Sequence, residues 1–306
     1  MPDPRTREPR LRRSLMLTPG NRRDRLPKAV TLPSDCTVFD LEDGVPPQEK
    51  DTARAAVAEA LATLDFAGRE RCVRINGTDT ADSRTDLDSL PLAQLDSLML
   101  PKVESAEALR RFEERLAAAE RRAGRETPVD LILSIETPKG LLKAAEIAEA
   151  LPRASALFFG SGDFTAITGG AVSAEALLYP RSVLVVAAAA AGLQAIDAAY
   201  FAAVKDAEAT RRDALAARDL GFCGKLVFHP IQVDVANNVF APSEAEVARA
   251  RRIVQAYHES LERGHGTAVV DGIFIAVDML PPAERTLRTA RQIAERQNGG
   301  PAHAQP

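Results

Sequence analysis

Short, largely apolar runs recur along the chain, at residues 14–17, 37–41, 71–76, 97–100, 131–136, 156–163, 193–196 and 225–228. Each reads as a predicted strand. Between them the spacing changes to that of helices. Leu109, Phe112 and Leu116 fall on one stripe of a charged helix predicted over 104–122. Pro46 and Pro47 open a helix to about residue 64, since the first turn tolerates proline. Further helices are predicted over 138–150, over 174–191 with Gly192 as its stop, over 206–220 with Gly221 as its stop, and from Ser243 to about residue 263. Thr18-Pro19-Gly20-Asn21 is a turn signal, and a short basic segment, 22–30, follows it. A polar loop with Asp79, Thr80, Asp82 and Ser83 is expected after the third strand.

Eight strands alternating with helices predict a parallel sheet. A closed (β/α)8 TIM barrel with a C-terminal helical extension fits the count and the length of 306 residues. An open doubly wound sheet is the runner-up, but no GxGxxG motif follows the first strand. The expected organisation is a flexible N-terminus over 1–12, a barrel over 13–240, an extension over 241–298 reaching a neighbouring subunit, and a disordered tail over 299–306. A chain that is 45% hydrophobic can bury a large core. A net charge of −4 gives no general attraction to nucleic acid. The longest uncharged run, 182–196, is too short to span a bilayer, so no membrane partner is expected. Cys36, Cys72 and Cys223 are widely spaced and match no zinc pattern. Reduced thiols and a cytoplasmic location are expected.

Nearly every predicted strand ends on a polar residue: Glu42, Arg74, Lys102, Glu136, Asp163, Asp197 or His229. Barrel enzymes carry their catalytic groups at these ends, although strand ends also simply meet water. Glu136 and Asp163 close neighbouring strands, which lie about 4.8 Å apart. Two such carboxylates repel unless a hard divalent cation joins them; each also suits a helix start as a charge complement. Arg74, inside an apolar strand, needs an ion-pair partner or a substrate anion. Glu42 and Asp43 point to opposite strand faces, one toward the site and the other toward a group such as Lys50. Arg22 and Lys28 are either a solvated basic face or a phosphate site. His229 reads better as a core histidine bonded to backbone than as a catalyst, and Ser161 lacks the context of a nucleophile elbow.

Seven ordered stretches carry a family resemblance: Arg13-Ser14-Leu15 with Thr18-Pro19-Gly20; Phe39-Asp40-Leu41-Glu42-Asp43-Gly44-Val45; Val73-Arg74-Ile75-Asn76-Gly77; Leu100-Pro101-Lys102-Val103-Glu104; Ile135-Glu136-Thr137-Pro138-Lys139-Gly140; Gly160-Ser161-Gly162-Asp163; and residues 221–230 with Gln232. Through them the chain resembles the citrate lyase β-subunit-like proteins of the HpcH/HpaI aldolase superfamily, which includes malyl-CoA and citramalyl-CoA lyases. The resemblance implies a (β/α)8 barrel, as a homotrimer or homohexamer. It implies a Mg2+-dependent carbon–carbon lyase that cleaves a 3-hydroxyacyl-CoA such as malyl-CoA or citramalyl-CoA to a 2-oxoacid and acetyl-CoA, or runs the condensation. It makes Glu136 and Asp163 the Mg2+ ligands, with Glu136 also at the substrate, and it puts Arg74 against the thioester or carboxylate. Glu42 joins the catalytic set, and Arg22 and Lys28 lie near the phosphates of coenzyme A. In relatives an Asp four residues after a C-terminal Gly reaches an adjacent subunit. Here Ala276 holds that place after Gly272, and Asp278 follows two residues later as the candidate. A citryl carrier-protein lyase subunit, an acyl-CoA thioesterase and a non-catalytic CoA-ligand-binding homologue are the alternatives.

Overall fold

The computed structural model describes residues 8–198 and 203–298. Eight parallel strands close into a barrel in chain order. They are β1 Ser14–Pro19, β2 Cys36–Asp40, β3 Glu70–Arg74, β4 Ser97–Leu100, β5 Asp130–Ile135, β6 Ala154–Phe159, β7 Gln194–Ala198 and β8 Gly224–Val227. β8 pairs with β1 through Ser14↔Lys225, Leu15↔Leu226 and Met16↔Val227, which seals the cylinder and rules out the open sheet.

Side chains alternate across each strand. Leu15 and Leu17 of β1, Val38 of β2, Cys72 of β3, Ile132 of β5 and Phe158 of β6 pack together in the interior. The same parity, carried to the C-terminal ends, turns Asp40, Arg74 and Glu136 into the barrel mouth. Carried the other way, it turns Glu70 into the floor. Arg12 plugs that floor. Its Nε and Nη2 donate to Glu70 Oε2 at 2.8 Å and Oε1 at 2.7 Å, and its Nη1 donates to Ser155 Oγ at 2.9 Å and Gln194 Oε1 at 3.1 Å. Arg10 pairs with Asp130 at 3.2 Å. Arg10 and Arg12, expected within a flexible N-terminus, are thus held; residues 1–7 of that segment lie outside the described residues.

The helical layer departs from expectation in several places, including an unexpected helix at Pro230–Phe240 after β8. A helix at Ala81–Ser89 stands where a polar loop was expected. Thr80 caps it by accepting from Ser83 N at 3.1 Å. Its buried Asp86 accepts from Arg54 Nε at 2.7 Å and from Asn76 N and Nδ2 at 2.8 Å each. Polar contacts anchor this helix, so it has no strong apolar stripe to read. The helix expected over 138–150 is two pieces, Pro138–Leu141 and Ala144–Glu149. A further helix, Ser161–Thr168, starts just after β6.

The chain divides into two compact units, the second beginning at Val239. That unit holds helices Glu244–Glu262 and Leu280–Gln297, with an antiparallel hairpin between them, β9 Ala268–Val270 and β10 Ile273–Ile275. Ser243 and Glu246 cap the first helix reciprocally. Ala250, Ile253, Tyr257, Ile275 and Ala283 form the unit's core. The expected tail, 299–306, lies outside the described residues. No helix among the described residues is long and apolar enough to cross a membrane.

Candidate active site

β2 and β3 run side by side with Asp40 level with Arg74. The buried Asp40 accepts Arg74 Nε at 2.7 Å and Nη2 at 2.8 Å, a two-pronged grip that fixes the guanidinium plane. Asp40 also accepts the N–H groups of Glu42 at 2.9 Å and Gly44 at 3.0 Å, so it organises the turn after β2. Gly44 is required there, because a Cβ would overlap the Asp40 carboxylate. Burial opposes the charge on Arg74, but Asp40, Glu42 and Glu136 outweigh it and hold its pKa above the usual arginine value.

The third prong, Arg74 Nη1, stands 3.3 Å from Glu42 Oε2. Lys102 grips the other Glu42 oxygen, Nζ to Oε1 at 2.6 Å, and Asp43 Oδ2 at 2.5 Å. Burial works against its ammonium, while the bonds to Asp43 and Glu42 raise its pKa above the ordinary lysine range. The expected pairing of one of these two carboxylates with a group such as Lys50 is corrected. Lys50 Nζ donates to the carbonyls of Leu41 and Glu42 at 2.6 and 2.8 Å and to Asn76 Oδ1 at 2.7 Å. β2 ends at Asp40, so Glu42 and Asp43 sit on a turn and converge on one ammonium instead of diverging across a strand.

Glu136 follows β5 and is buried, 2% exposed. Its Oε1 accepts the backbone N–H of Lys102 at 2.6 Å. Gly160 makes room for its other oxygen, since a Cβ there would overlap Oε2. Burial pushes the Glu136 carboxyl up to about 7; the Lys102 N–H and Arg74 pull it down, and the charges of Asp163 and Glu42 push it further up. Asp163 is therefore close enough to be felt. It is half-buried in the first turn of Ser161–Thr168, so it is a helix-start residue and not the strand end expected. Among the described residues no three or more His, Cys, Asp or Glu are grouped to hold a metal. Two carboxylates fit Mg2+, which binds one or two carboxylates and fills its octahedron with water and substrate oxygens. A cation there would also relieve the repulsion that raises Glu136.

A family model described as HpcH/HpaI aldolase/citrate lyase matches residues 13–230. The chain belongs to that family. It is 37% identical over 284 residues to a (3S)-malyl-CoA thioesterase of Cereibacter sphaeroides, covering 92% of this chain and 95% of the relative. It is 34% identical over 297 residues to the mitochondrial citramalyl-CoA lyase of Homo sapiens, covering 93% and 87%. Among solved structures, CitE of Mycobacterium tuberculosis in complex with magnesium, acetoacetate and coenzyme A superposes with a TM-score of 0.71 at 31% identity, covering 94% of this chain and 99% of that one.

The barrel of this family member brings Glu42, Arg74 and Glu136 together at the mouth. Asp163 stands near enough to act on Glu136, while Asp278 belongs to the second unit. Arg22 is exposed in the turn after β1 and pairs with Asp24 at 3.2 Å. Lys28 is exposed on the short helix Leu26–Ala29. Asp278 is exposed in a 3-10 turn, Val277–Met279, of the second unit. Asp197 does not belong to the mouth. It lies within β7 and is fully buried, taking Lys225 Nζ at 2.5 Å and Arg181 Nη2 at 2.8 Å, on the side of the helices. His229 accepts Ile231 N on Nδ1 at 3.3 Å; it is bonded to backbone as expected, but half-buried and not in the core. Asp40 and Lys102 complete the cluster; Asp40 was not expected there, and Lys102 was named only as a polar strand end. Both stand inside the Phe39–Val45 and Leu100–Glu104 motifs, and their charge within apolar runs was the available signal.

Proposed function

We propose that this chain is a Mg2+-dependent carbon–carbon lyase. Its substrate is a 3-hydroxyacyl-CoA with a terminal carboxylate, such as malyl-CoA or citramalyl-CoA, and its products are a 2-oxoacid and acetyl-CoA; the reverse condensation uses the same site. The observation that carries this reading is the division of charge at the mouth. Glu136 after β5 and Asp163 on the helix after β6 are its anionic part, and Arg74 on β3, held by Asp40, is its cationic part. Glu136 and Asp163 would hold Mg2+, which would supply Lewis acidity and a template for the substrate's oxygens. Glu42, whose Oε2 is buried without a hydrogen-bond partner, accepts the hydroxyl proton. The carbon–carbon bond then breaks, its electron pair passes into the thioester as an enolate, and the proton held on Glu42 is delivered to the enolate carbon to give acetyl-CoA. Arg74 donates to the oxygen where that charge develops. Arg22 and Lys28, exposed beyond the C-terminal end of β1, hold coenzyme A phosphates. Asp278 comes from a neighbouring copy in a homotrimer or homohexamer.

The relatives support the substrate class, since one acts on citramalyl-CoA and CitE holds magnesium and coenzyme A together. The thioesterase named in Cereibacter sphaeroides favours a second reading, hydrolysis of the same thioester. One experiment separates them: a panel of hydroxyacyl-CoA thioesters, incubated with the isolated chain and Mg2+ and analysed by mass spectrometry. The expected products are a 2-oxoacid and acetyl-CoA, lost on adding EDTA or in Glu136→Gln. Free CoA with intact hydroxyacid identifies a thioesterase. Turnover of free CoA esters by the chain alone argues against a carrier-protein substrate. No turnover with Mg2+ bound makes this a non-catalytic ligand-binding protein.

A further inference from the structure

We infer that Lys102 is the positioning residue of this site, holding Glu136 through its peptide N–H and Glu42 through its ammonium; the inference rests on the function proposed above. Lys102 has φ +49°, in the left-handed region that a residue with a Cβ adopts at a cost. The strain sits at the barrel mouth, one residue beyond Pro101 and two beyond the end of β4. Backbone pairing to β5 resumes at once, with Val103 N donating to Ser134 O at 3.0 Å. The twist at Lys102 therefore does something local. It directs one N–H at Glu136 Oε1, 2.6 Å away. A strained conformation of this kind persists where its surroundings over-determine it, and such places cluster at functional sites.

The two ends of Lys102 act on two different carboxylates. With Oε1 tied to a neutral donor and Oε2 lying against Gly160, Glu136 cannot turn away from Asp163. The Nζ atom reaches across to the turn after β2 and takes Glu42 Oε1 at 2.6 Å and Asp43 Oδ2 at 2.5 Å. That grip leaves Glu42 Oε2 facing Arg74 Nη1 at 3.3 Å. One residue after β4 thus sets the carboxylate that holds the cation and the carboxylate that receives the proton. Neither partner is near it in sequence, with separations of 34 and 60 residues. Lys102 acts through Glu136 and Glu42.

The two roles can be separated, because glycine accepts a positive φ and carries no side chain. Lys102→Gly keeps the twist and removes the ammonium. Lys102→Ala removes the ammonium and keeps the strain. Lys102→Arg keeps a cation. Melting temperature, calorimetric Mg2+ affinity, kcat and KM are measured on all three and on the wild type. Lys102→Gly is expected to melt at or above Lys102→Ala and to bind Mg2+ more tightly than it does, reversing the usual order of these two residues inside regular structure. Both are expected to lose about tenfold or more in kcat with KM little changed, and Lys102→Arg to recover part of it. Lys102→Ala melting above Lys102→Gly, with wild-type Mg2+ affinity, overturns the backbone role. Unchanged kcat in Lys102→Gly overturns the ammonium role. A wild type that neither binds Mg2+ nor turns over any thioester overturns the function proposed above instead; the failing sample tells the two apart, and the melting order still decides the backbone role.

Discussion

Asp40 is the residue on which Arg74 depends. Its two oxygens hold Nε and Nη2, and the same oxygens gather the N–H groups of the turn that carries Glu42. Asp40→Asn keeps one acceptor oxygen and replaces the other by a donor that faces a guanidinium. Arg74 should then lose its fixed plane, and kcat should fall by roughly 100-fold, the scale of a lost charge-stabilising donor. Steady-state kinetics on a correctly folded Asp40→Asn protein checks this, and a kcat near the wild type would remove Arg74's clamp from the mechanism. Glu136 and Asp163 were legible as candidates because each follows an apolar run. Asp197 looks identical by that rule, yet it faces the helices. Parity decides between the two faces, and parity depends on where each strand starts, which the pattern gives only to within a few residues. Asp40 was hidden for a different reason: its partner is in the next strand, so no local spacing announces the pair.

The elements themselves divide by what anchors them. The eight strands were readable because burial leaves apolar runs between turn signals, and their order in the barrel follows the order of the chain. The helix Ala81–Ser89 was not readable, because its anchors are polar. Asp86 is buried, and it satisfies Arg54 and Asn76 at once. Asn76 in turn accepts Lys50, whose other bonds hold the carbonyls of Leu41 and Glu42 beneath the site. Asp86→Ala should therefore cost about 3–5 kcal/mol, the scale for removing one partner of a buried ion pair. Arg54 is also paired with Asp51 and Asp82, which can take up part of the loss. Urea unfolding measures the change. A loss below about 1 kcal/mol would mean that those two carboxylates suffice. The β9–β10 hairpin was missed because its three-residue strands are shorter than any run the pattern can separate from loop.

The whole barrel has opposite chemistry at its two ends, and the difference shows in how each responds to pH. At the mouth, carboxylates crowd one another, and burial raises Glu136. At the floor, each charge has a matched partner. Burial alone would raise the Glu70 carboxyl, but the charge and hydrogen bonds of Arg12, with Ser97 and Arg10 adding to them, bring it down to about 2. In the unfolded chain the same group ionises near ~4.3. Between these values the unfolded chain holds a proton that the folded one does not, so lowering the pH favours unfolding. The contribution of Glu70 is fully present above about pH 4.3 and is lost as the pH falls through about 2. A separation of about two pKa units corresponds to about 3 kcal/mol. Glu70→Gln should remove that contribution and leave Arg12 in the floor without its anion, so the loss near neutral pH should be about 3 kcal/mol or more. Urea unfolding of both proteins from neutral pH downward checks the sign as well as the size. The gap in stability should be widest at neutral pH and should narrow as the wild type approaches the pH at which Glu70 protonates. A gap that stays constant with pH would mean that the floor is held by the shape of Arg12 and not by its charge.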